Sequence, residues 1–550
     1  MHPLIPKLRQ SLSQGRISRR EFLRLATLVG LSLAGAQSIS ACVQPEPPAS
    51  PTPAPSTKPA QASFIRGGVL QCATRIERVD HPARFTRLSQ SHPWRHVLEY
   101  LTCLSSQGLA VPYLLEKWAA SADLLTWTLN IRQGVRFNNG QELTAADVIF
   151  NFNQWLDKDL NSAMSAALSF LDASGIERAD DYTVVLRLKE PTIFLPELLC
   201  QFPAAVVPRN FGGDLLRQPL GTGAFTMQEY TPGERCRLTR RNDYWRNGQD
   251  GKPLPYLDQI VMLQFGQDRA ADLPALQTGQ VDAILEPPFS FWEVVQDDPR
   301  LTVVSIPTAA AYLLRMRVDQ PPWKDNRVRQ ALKYCHDRPK ILSAVLQGQG
   351  TIGHDSHIAP AQPEYTPLEA FPFDPGRAKS LLSEAGHPDG LSVEIAVPSD
   401  WPVALAYAQA LQQDASAGGF QINLKTMPAA DYWANWTEWN CGITWWAHRP
   451  QASMLLPLAY SAGADGSPAP WNETRWVDQE FGALLHQAEK TLDLSRRKEI
   501  VHSLQLIQKE RGSICTPFFT NVWQIYDKRL HGIVASPDEY ASFYETWKET

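Results

Sequence analysis

The stretch LSVEIAVPSDWPVALAYAQALQQDASAGGFQINLKTMPAADYWANWTEWNCGITWWAHRP, residues 391–450, decides the fold. Its apolar patterning predicts a strand over 391–397, a helix over 402–417 and a strand over 420–427. A helix over 430–438 and a strand over 441–446 follow. Gly418 and Gly419 end the first helix, because glycine takes the left-handed conformation without a Cβ clash. Strand-length runs alternating with helix-length runs in this order make a βαβαβ unit on a parallel sheet. In open α/β sheets, ligands sit in the crevice beyond the carboxyl ends of the strands. Two such ends carry residues suited to a cleft wall: Pro398-Ser399-Asp400-Trp401 and Trp445-Trp446-Ala447-His448-Arg449-Pro450.

A chain of 550 residues is long enough for two or three domains. Its first 41 residues read as an export signal rather than as fold. Ser18-Arg19-Arg20-Glu21-Phe22-Leu23 resembles a twin-arginine signal, with Arg19 and Arg20 as the pair. The apolar run that follows is shorter than the roughly 20 residues a membrane span needs. Ile39-Ser40-Ala41-Cys42 then resembles a bacterial lipobox, which makes Cys42 the lipidated new N-terminus. Residues 42–63 are Pro-rich and read as an extended tether from lipid to domain. The segment 1–41 holds six basic residues and one acid, so its removal takes the formal charge from −5 to −10. An acidic mature chain has no electrostatic basis for nucleic-acid binding. The seven remaining cysteines are scattered without metal-like spacing, and an odd number leaves at least one unpaired. Most are expected as buried thiols, with room for a single disulfide.

Further along, Trp127–Arg132 and 182–188 alternate with period two and read as half-wet strands. Helical character is expected over 97–103. Thr144-Ala145-Ala146-Asp147 has capping-box spacing, with Asp in place of Glu. Leu220-Gly221-Thr222-Gly223 lacks the third glycine of a dinucleotide fingerprint and reads as a turn where backbone passes close to another segment. Strands are expected at 257–265, 281–285, 312–318 and 518–526. Helices are expected to begin at Asp325, Asp337 and Asp374 and to cover 481–490 and 494–511.

In order and spacing, several short motifs resemble the extracellular solute-binding proteins of ABC importers that include the dipeptide- and oligopeptide-binding proteins. They are Val79-Asp80-His81-Pro82, Pro112 to Trp118, Trp127 to Gly140 with Leu143 to Phe152, and Gly221-Thr222-Gly223. Asn242-Asp243-Tyr244-Trp245, Gly279-Gln280-Val281-Asp282, Val328 to Leu332 with Asp337-Arg338, and Asp374 to Gly386 continue the series. The resemblance implies an α/β, two-lobed periplasmic-binding-protein-like fold of the class II type, with an extra subdomain in lobe one and a hinge. Lobe one is then expected over 64–315, its extra subdomain over about 83–212, lobe two over 316–510, and a return to lobe one over 511–550. It also implies a monomeric protein, here held outside the cytoplasm by the Cys42 lipid, that hands a small-molecule or peptide ligand to permease and ATPase subunits. No cofactor is implied.

One departure concerns the ligand. Peptide-binding members follow the strand at 441–446 with an aspartate for the peptide's α-amino group, whereas this chain has Trp446-Ala447-His448-Arg449. Arg449 either grips a ligand anion bidentately or closes its own loop with a salt bridge. Trp445 and Trp446 alternate faces, so one at most meets the cleft. Trp401, Asp400 and Tyr312 complete the candidate ligand contacts. Asp400 has a second role open to it, capping the helix it precedes. His354-Asp355-Ser356-His357 has metal-ligand chemistry, but two His in a Gly-flanked loop fit a surface turn better. GxSxG, HExxH and P-loop signatures are absent, so an enzyme is not expected; a chemosensory receptor or a secreted hydrolase are the rival classes.

Overall fold

The computed structural model describes residues 64–463, 465–534, 536–538 and 542–549. Arg19, Arg20, Cys42 and the Pro-rich tether lie outside the described residues. Among the described residues twelve strands form a mixed sheet that changes character at the long strand Leu301–Met316. On one side, Val69–Ala73 lies parallel to Gln259–Leu263 and to Ala283–Ile284, and the hairpin of Phe225–Thr231 and Arg235–Arg240 forms the margin. On the other side, Leu391–Pro398 runs parallel to Phe420–Met427 along its whole length. It meets Cys441–Trp446, also parallel, through Ala396 and Gly442.

The long strand breaks register part-way and there gains a second neighbour. Leu301–Pro307 pairs antiparallel with the strand Phe518–Asp527, and the register then breaks between Pro307 and Ala311. Beyond the break, Ala311 still pairs with Phe519 and Leu314–Arg315 with Ile514–Cys515, while Ala311–Met316 also pairs antiparallel with Cys441–Trp446 on the opposite side. Pro307 has no N–H to donate, and proline inside a sheet is confined to such interruptions.

The apolar cores divide in the same way. Leu70, Cys72, Ile260 and Met262 pack on one face of the first half-sheet, and Ile284, Trp292 and Ile525 pack in a second cluster beside them. In the second half, Val328, Leu332, Ile395, Tyr407 and Ile443 fill one face and Leu313, Trp446, Leu456, Phe481 and Leu504 the other. A separate core of Trp94, Trp127, Phe152 and Trp155 lies with the antiparallel strands Leu115–Ala120, Thr126–Ile131, Thr183–Leu188 and Leu171–Arg178. The chain is thus a two-lobed α/β molecule with additional structure on its first lobe.

Local signals explain most elements. Thr144 and Asp147 form the expected reciprocal capping box on Ala145–Leu156. Asp325, Asp337 and Asp374 each accept a backbone N–H at the start of their helix. Gly419, at φ +90°, ends Pro402–Ala417. Three expectations need correction. Residues 97–103 are not helical; Glu99–Tyr100 and Thr102–Leu104 are short strands. Leu98, Glu99, Tyr100, Leu101 and Thr102 are all buried, so no solvent face marks the period. The helix expected over 430–438 stops at Ala434, because the Arg315 guanidinium takes the carbonyls of Trp436 and Trp439. The strand expected to start at Tyr312 begins eleven residues earlier, at Leu301.

Gly221 and Gly223 sit where backbone passes close to backbone. A Cβ on Gly221 would lie 2.0 Å from the Val97 carbonyl oxygen, and one on Gly223 2.4 Å from that of His96. Gly223 also donates its N–H to Val97 at 2.8 Å, so the approach is a bonded one. Gly223→Ala is therefore expected to cost about 1–3 kcal/mol, as overpacking does. Urea unfolding of wild type and variant checks this; equal midpoints would mean that the 96–98 segment yields freely.

Candidate functional site

Leu391–Pro398 and Cys441–Trp446 are parallel, so their carboxyl ends open on one edge of the sheet. Tyr312, on the long strand, pairs across from Trp445. Its half-buried ring meets Trp401 edge-on at 6.4 Å, and burial pushes its phenol up to about 12. Trp401 packs in turn on Trp433 at 5.7 Å. Trp445 is 40% exposed while Trp446 is 7% exposed, the alternation that a strand imposes. Tyr312, Trp401 and Trp445 therefore gather at this edge.

Trp446 is held elsewhere. Its indole N–H donates to Glu473 at 2.9 Å, and the Thr444 hydroxyl donates to the same carboxylate at 2.7 Å. Glu473 also stands 3.5 Å from the buried Arg315 guanidinium. Asp400 is exposed and accepts the Ala429 N–H at 2.8 Å. It caps the helix Ala429–Ala434, not the one that it precedes; Trp401, the N-cap of that helix, makes no side-chain cap bond.

The loop beyond Trp446 joins several parts of the molecule. His448 Nδ1 accepts the Ala309 N–H at 3.0 Å, in the register break of the long strand. An accepting Nδ1 places the ring proton on Nε2. That nitrogen faces Asp538 Oδ1 at 3.7 Å, from the C-terminal segment that rejoins the first lobe. Burial, reinforced by Arg449, lowers His448 to about 4, so the imidazole is neutral at pH 7. Arg449 donates from Nη1 to the His448 carbonyl at 3.0 Å, and burial lowers its pKa. No carboxylate among the described residues pairs with it, so the salt bridge that would close the loop is not formed. Gln451 donates to Glu197 at 2.5 Å and accepts from Arg497 at 3.2 Å, tying the loop to the first lobe's additional structure.

Sequence reasoning did not single out Asp538, Glu197 or Glu473. Asp538 lies in irregular chain and Glu473 in a loop, where no periodicity marks a side chain's direction. His354-Asp355-Ser356-His357 is a buried loop and not a surface turn. Asp355 pairs with Arg338 at 2.5 Å, His354 bonds the Tyr365 hydroxyl at 3.0 Å, and His357 bonds that of Tyr460 at 3.0 Å. Among the described residues no group of three His, Cys, Asp or Glu could hold a metal ion. Cys72, Cys103, Cys200, Cys236, Cys335, Cys441 and Cys515 are free thiols, and Cys103 alone of these seven is not fully buried. Burial pushes Cys236, Cys335 and Cys441 up to about 12, which makes them inert. Among the described residues no helix is long and apolar enough to cross a membrane.

Two α/β lobes thus share one mixed sheet, with Tyr312, Trp401 and Trp445 gathered at the strand ends on one edge. Residues 110–467 match the bacterial extracellular solute-binding proteins, family 5 Middle, and the chain belongs to that family. Di/tripeptide-binding protein 1 of Pseudomonas aeruginosa (strain UCBPP-PA14) is 27% identical over 486 residues, which span 82% of this chain and 88% of the relative. Heme-binding protein A of Haemophilus influenzae is 25% identical over 467 residues, spanning 79% and 83%. The solved structure of HbpA2 from Haemophilus parasuis superposes with a TM-score of 0.77 at 24% identity, over 88% of this chain and 100% of that one. The last comparison supports the two-lobed fold.

The buried histidines of the second lobe and its hinge set an acid limit. His336, His354 and His448 are lowered to about 4 and His357 to about 3, in each case first by burial. The unfolded chain takes up these protons near pH 6.5, the folded chain only near 4 or below. Stability is therefore present above pH 6.5 and lost as pH falls toward 4, by up to about 3 kcal/mol for each histidine. Urea midpoints measured between pH 7.5 and 4.5 should fall steeply, and less steeply in His357→Asn. A flat profile would contradict the neutral, buried state.

Proposed function

We propose that this chain is the capture protein of an ABC import system. It takes a small peptide or peptide-like solute with an anionic group between its lobes and delivers it to a membrane permease driven by ATPase subunits. Family membership supports the binding role. The observation that carries the ligand class is Arg449, a half-buried guanidinium beyond the carboxyl end of Cys441–Trp446 whose bond within the described residues goes to its neighbour's carbonyl. A desolvated guanidinium without a counter-anion is costly, and a bound carboxylate offsets that cost with two parallel charge-assisted hydrogen bonds. Tyr312, Trp401 and Trp445 supply apolar area beside it. Trp446 and Asp400 support the loops, and His448 orients the backbone that Arg449 extends from.

Export and anchoring belong to the same reading. Arg19-Arg20, the apolar run and Cys42 follow one another in the order of a twin-arginine lipoprotein signal, which puts the working protein outside the cytoplasm on a lipid anchor. The strand pairings favour lobe crossings near Pro307–Ala311 and near Thr520, inside the junctions at 315/316 and 510/511 that motif order alone indicates.

Native mass spectrometry of the soluble chain from Val43 onward should reveal a stoichiometric, chemically unchanged solute bearing a carboxylate or phosphate. Arg449→Ala should weaken its binding by about 10- to 100-fold, as expected for a charge-assisted pair worth about 1.5–3 kcal/mol. Unchanged affinity in isothermal titration would remove Arg449 from the site, and turnover of the solute would replace capture by catalysis.

A further inference from the structure

The additional structure of lobe one touches lobe two without sharing a core with it. Among the described residues its buried apolar cluster runs from Val79 to Leu215 and takes in no residue of lobe two, and the two lobe-two clusters take in none of its residues. Yet two of its elements reach across. Gly108 lies in the turn between the strands Thr102–Leu104 and Ala110–Pro112, where a Cβ would stand 3.2 Å from the Pro450 carbonyl oxygen and 3.7 Å from Pro363. Glu197, in the short helix Leu195–Leu198, accepts the Gln451 amide N–H at 2.5 Å. Burial pushes the Glu197 carboxyl up, opposed by nearby N–H groups of its own backbone and of Ala110, and by Arg497.

Gln451 is buried, and lobe two fixes its orientation. Its side-chain carbonyl accepts from Arg497 at 3.2 Å, which leaves its amide N–H to point at Glu197. Arg497 also donates to the Thr491 carbonyl at 2.7 Å and stands 3.5 Å from the buried Glu364. Glu364 in turn accepts the Ala452 N–H at 3.1 Å and the Ser453 hydroxyl at 3.0 Å. Lobe two thus presents Gln451 as a fixed donor, and lobe one meets it with a carboxylate.

We infer that the additional structure of lobe one is a clamp, which docks reversibly on the loop that follows Trp446 with Glu197 and Gln451 as its latch. Reversibility follows from what the contact is made of. Contacts between domains hold firm when they are large and hydrophobic, and relative motion is expected otherwise. Here the contact is polar. It also buries the second Glu197 oxygen, Oε2, with no hydrogen-bond partner among the described residues, a cost that offsets part of the charge-assisted bond. Docked, the clamp covers Pro450 and Gln451 and so fixes the segment from which Arg449 extends. Released, it leaves Gln451 to lobe two alone. Its meaning for capture rests on the reading of that loop as the ligand site: a ligand that fits the docked loop better than the released one then drives the clamp shut.

Backbone hydrogen exchange on the ligand-free soluble chain tests the clamp apart from any ligand. In wild type the turn at 105–111 and the segment at 450–455 should both be protected; the Gly108 N–H donates to the Ser105 carbonyl and the Ala452 N–H to Glu364. Glu197→Ala, a change in lobe one, should speed exchange at 450–455 in lobe two by about tenfold or more, the scale of one charge-assisted bond. Gln451→Ala should do the same to 105–111. The double variant should exchange no faster than either single one, since all remove the same bond. Glu197→Gln keeps an acceptor for Gln451 and should keep both segments protected. If Glu197→Ala loosens lobe one alone, the residue serves its own subdomain and the inference falls. Additive effects in the double variant, or no effect of either single one, also overturn it. Rapid exchange of both segments in wild type overturns the clamp without any variant having to fold. Because no ligand enters, removal of Arg449 from the site would leave these outcomes as they are.

Discussion

A strand that breaks register leaves backbone groups without ladder partners, and here those groups lie between Pro307 and Ala311. Three of them have found a side chain. The Ala309 N–H goes to His448, the Ala310 N–H to the Thr308 hydroxyl, and that hydroxyl donates to the Thr520 carbonyl. The Thr520 hydroxyl completes the set by donating to the Ala310 carbonyl at 3.3 Å. Buried backbone polar groups are nearly always paired, and pairing them with side chains rather than with a ladder leaves a joint that can turn. Proline at 307 makes the break permanent, because it has no N–H with which to continue the ladder.

The same economy fixes the site. His448 is a joint component because it accepts from Ala309, and Arg449 follows it directly in the chain. At the other end of the loop, Glu473 gathers Trp446, Thr444 and Arg315 into one buried cluster. Gln451, bridging Glu197 and Arg497, anchors the loop's exit. The short segment from Ala447 to Pro450 is therefore held at both ends and at the hinge. A guanidinium on such a segment is pre-organised, which reduces the ordering cost of binding.

What could be read from the sequence was what local chemistry determines. Asp325, Asp337 and Asp374 cap helices within three residues of themselves, and Trp445 and Trp446 divide between faces because a strand has period two. The parallel pairing over 391–427 followed from alternating run lengths. What escaped depended on distant partners. Asp400 caps a helix that begins 29 residues later in the chain. His354 to His357 is buried because Arg338 and Tyr460 come to it from other elements. Residues 97–103 carry no period because both of their sides are covered. Asp538 could not be placed at all from irregular chain.

The molecule itself shows that unpaired buried charge is not its habit. Arg269 with Asp272, Arg338 with Asp355, and Arg315 with Glu473 are all buried, and each cation has its anion within 3.5 Å. Lys333, equally buried, donates to the Gln508 and Lys509 carbonyls at the end of a helix. Where this chain buries charge for architecture, it therefore supplies the partner itself. Arg449 departs from that pattern, with one bond among the described residues, to the His448 carbonyl, and no carboxylate paired with it. Burial has moved Arg449 toward its neutral form, as desolvation without a counter-charge requires. Among the described residues no anion pairs with it, and a ligand that carries one is what can provide the partner.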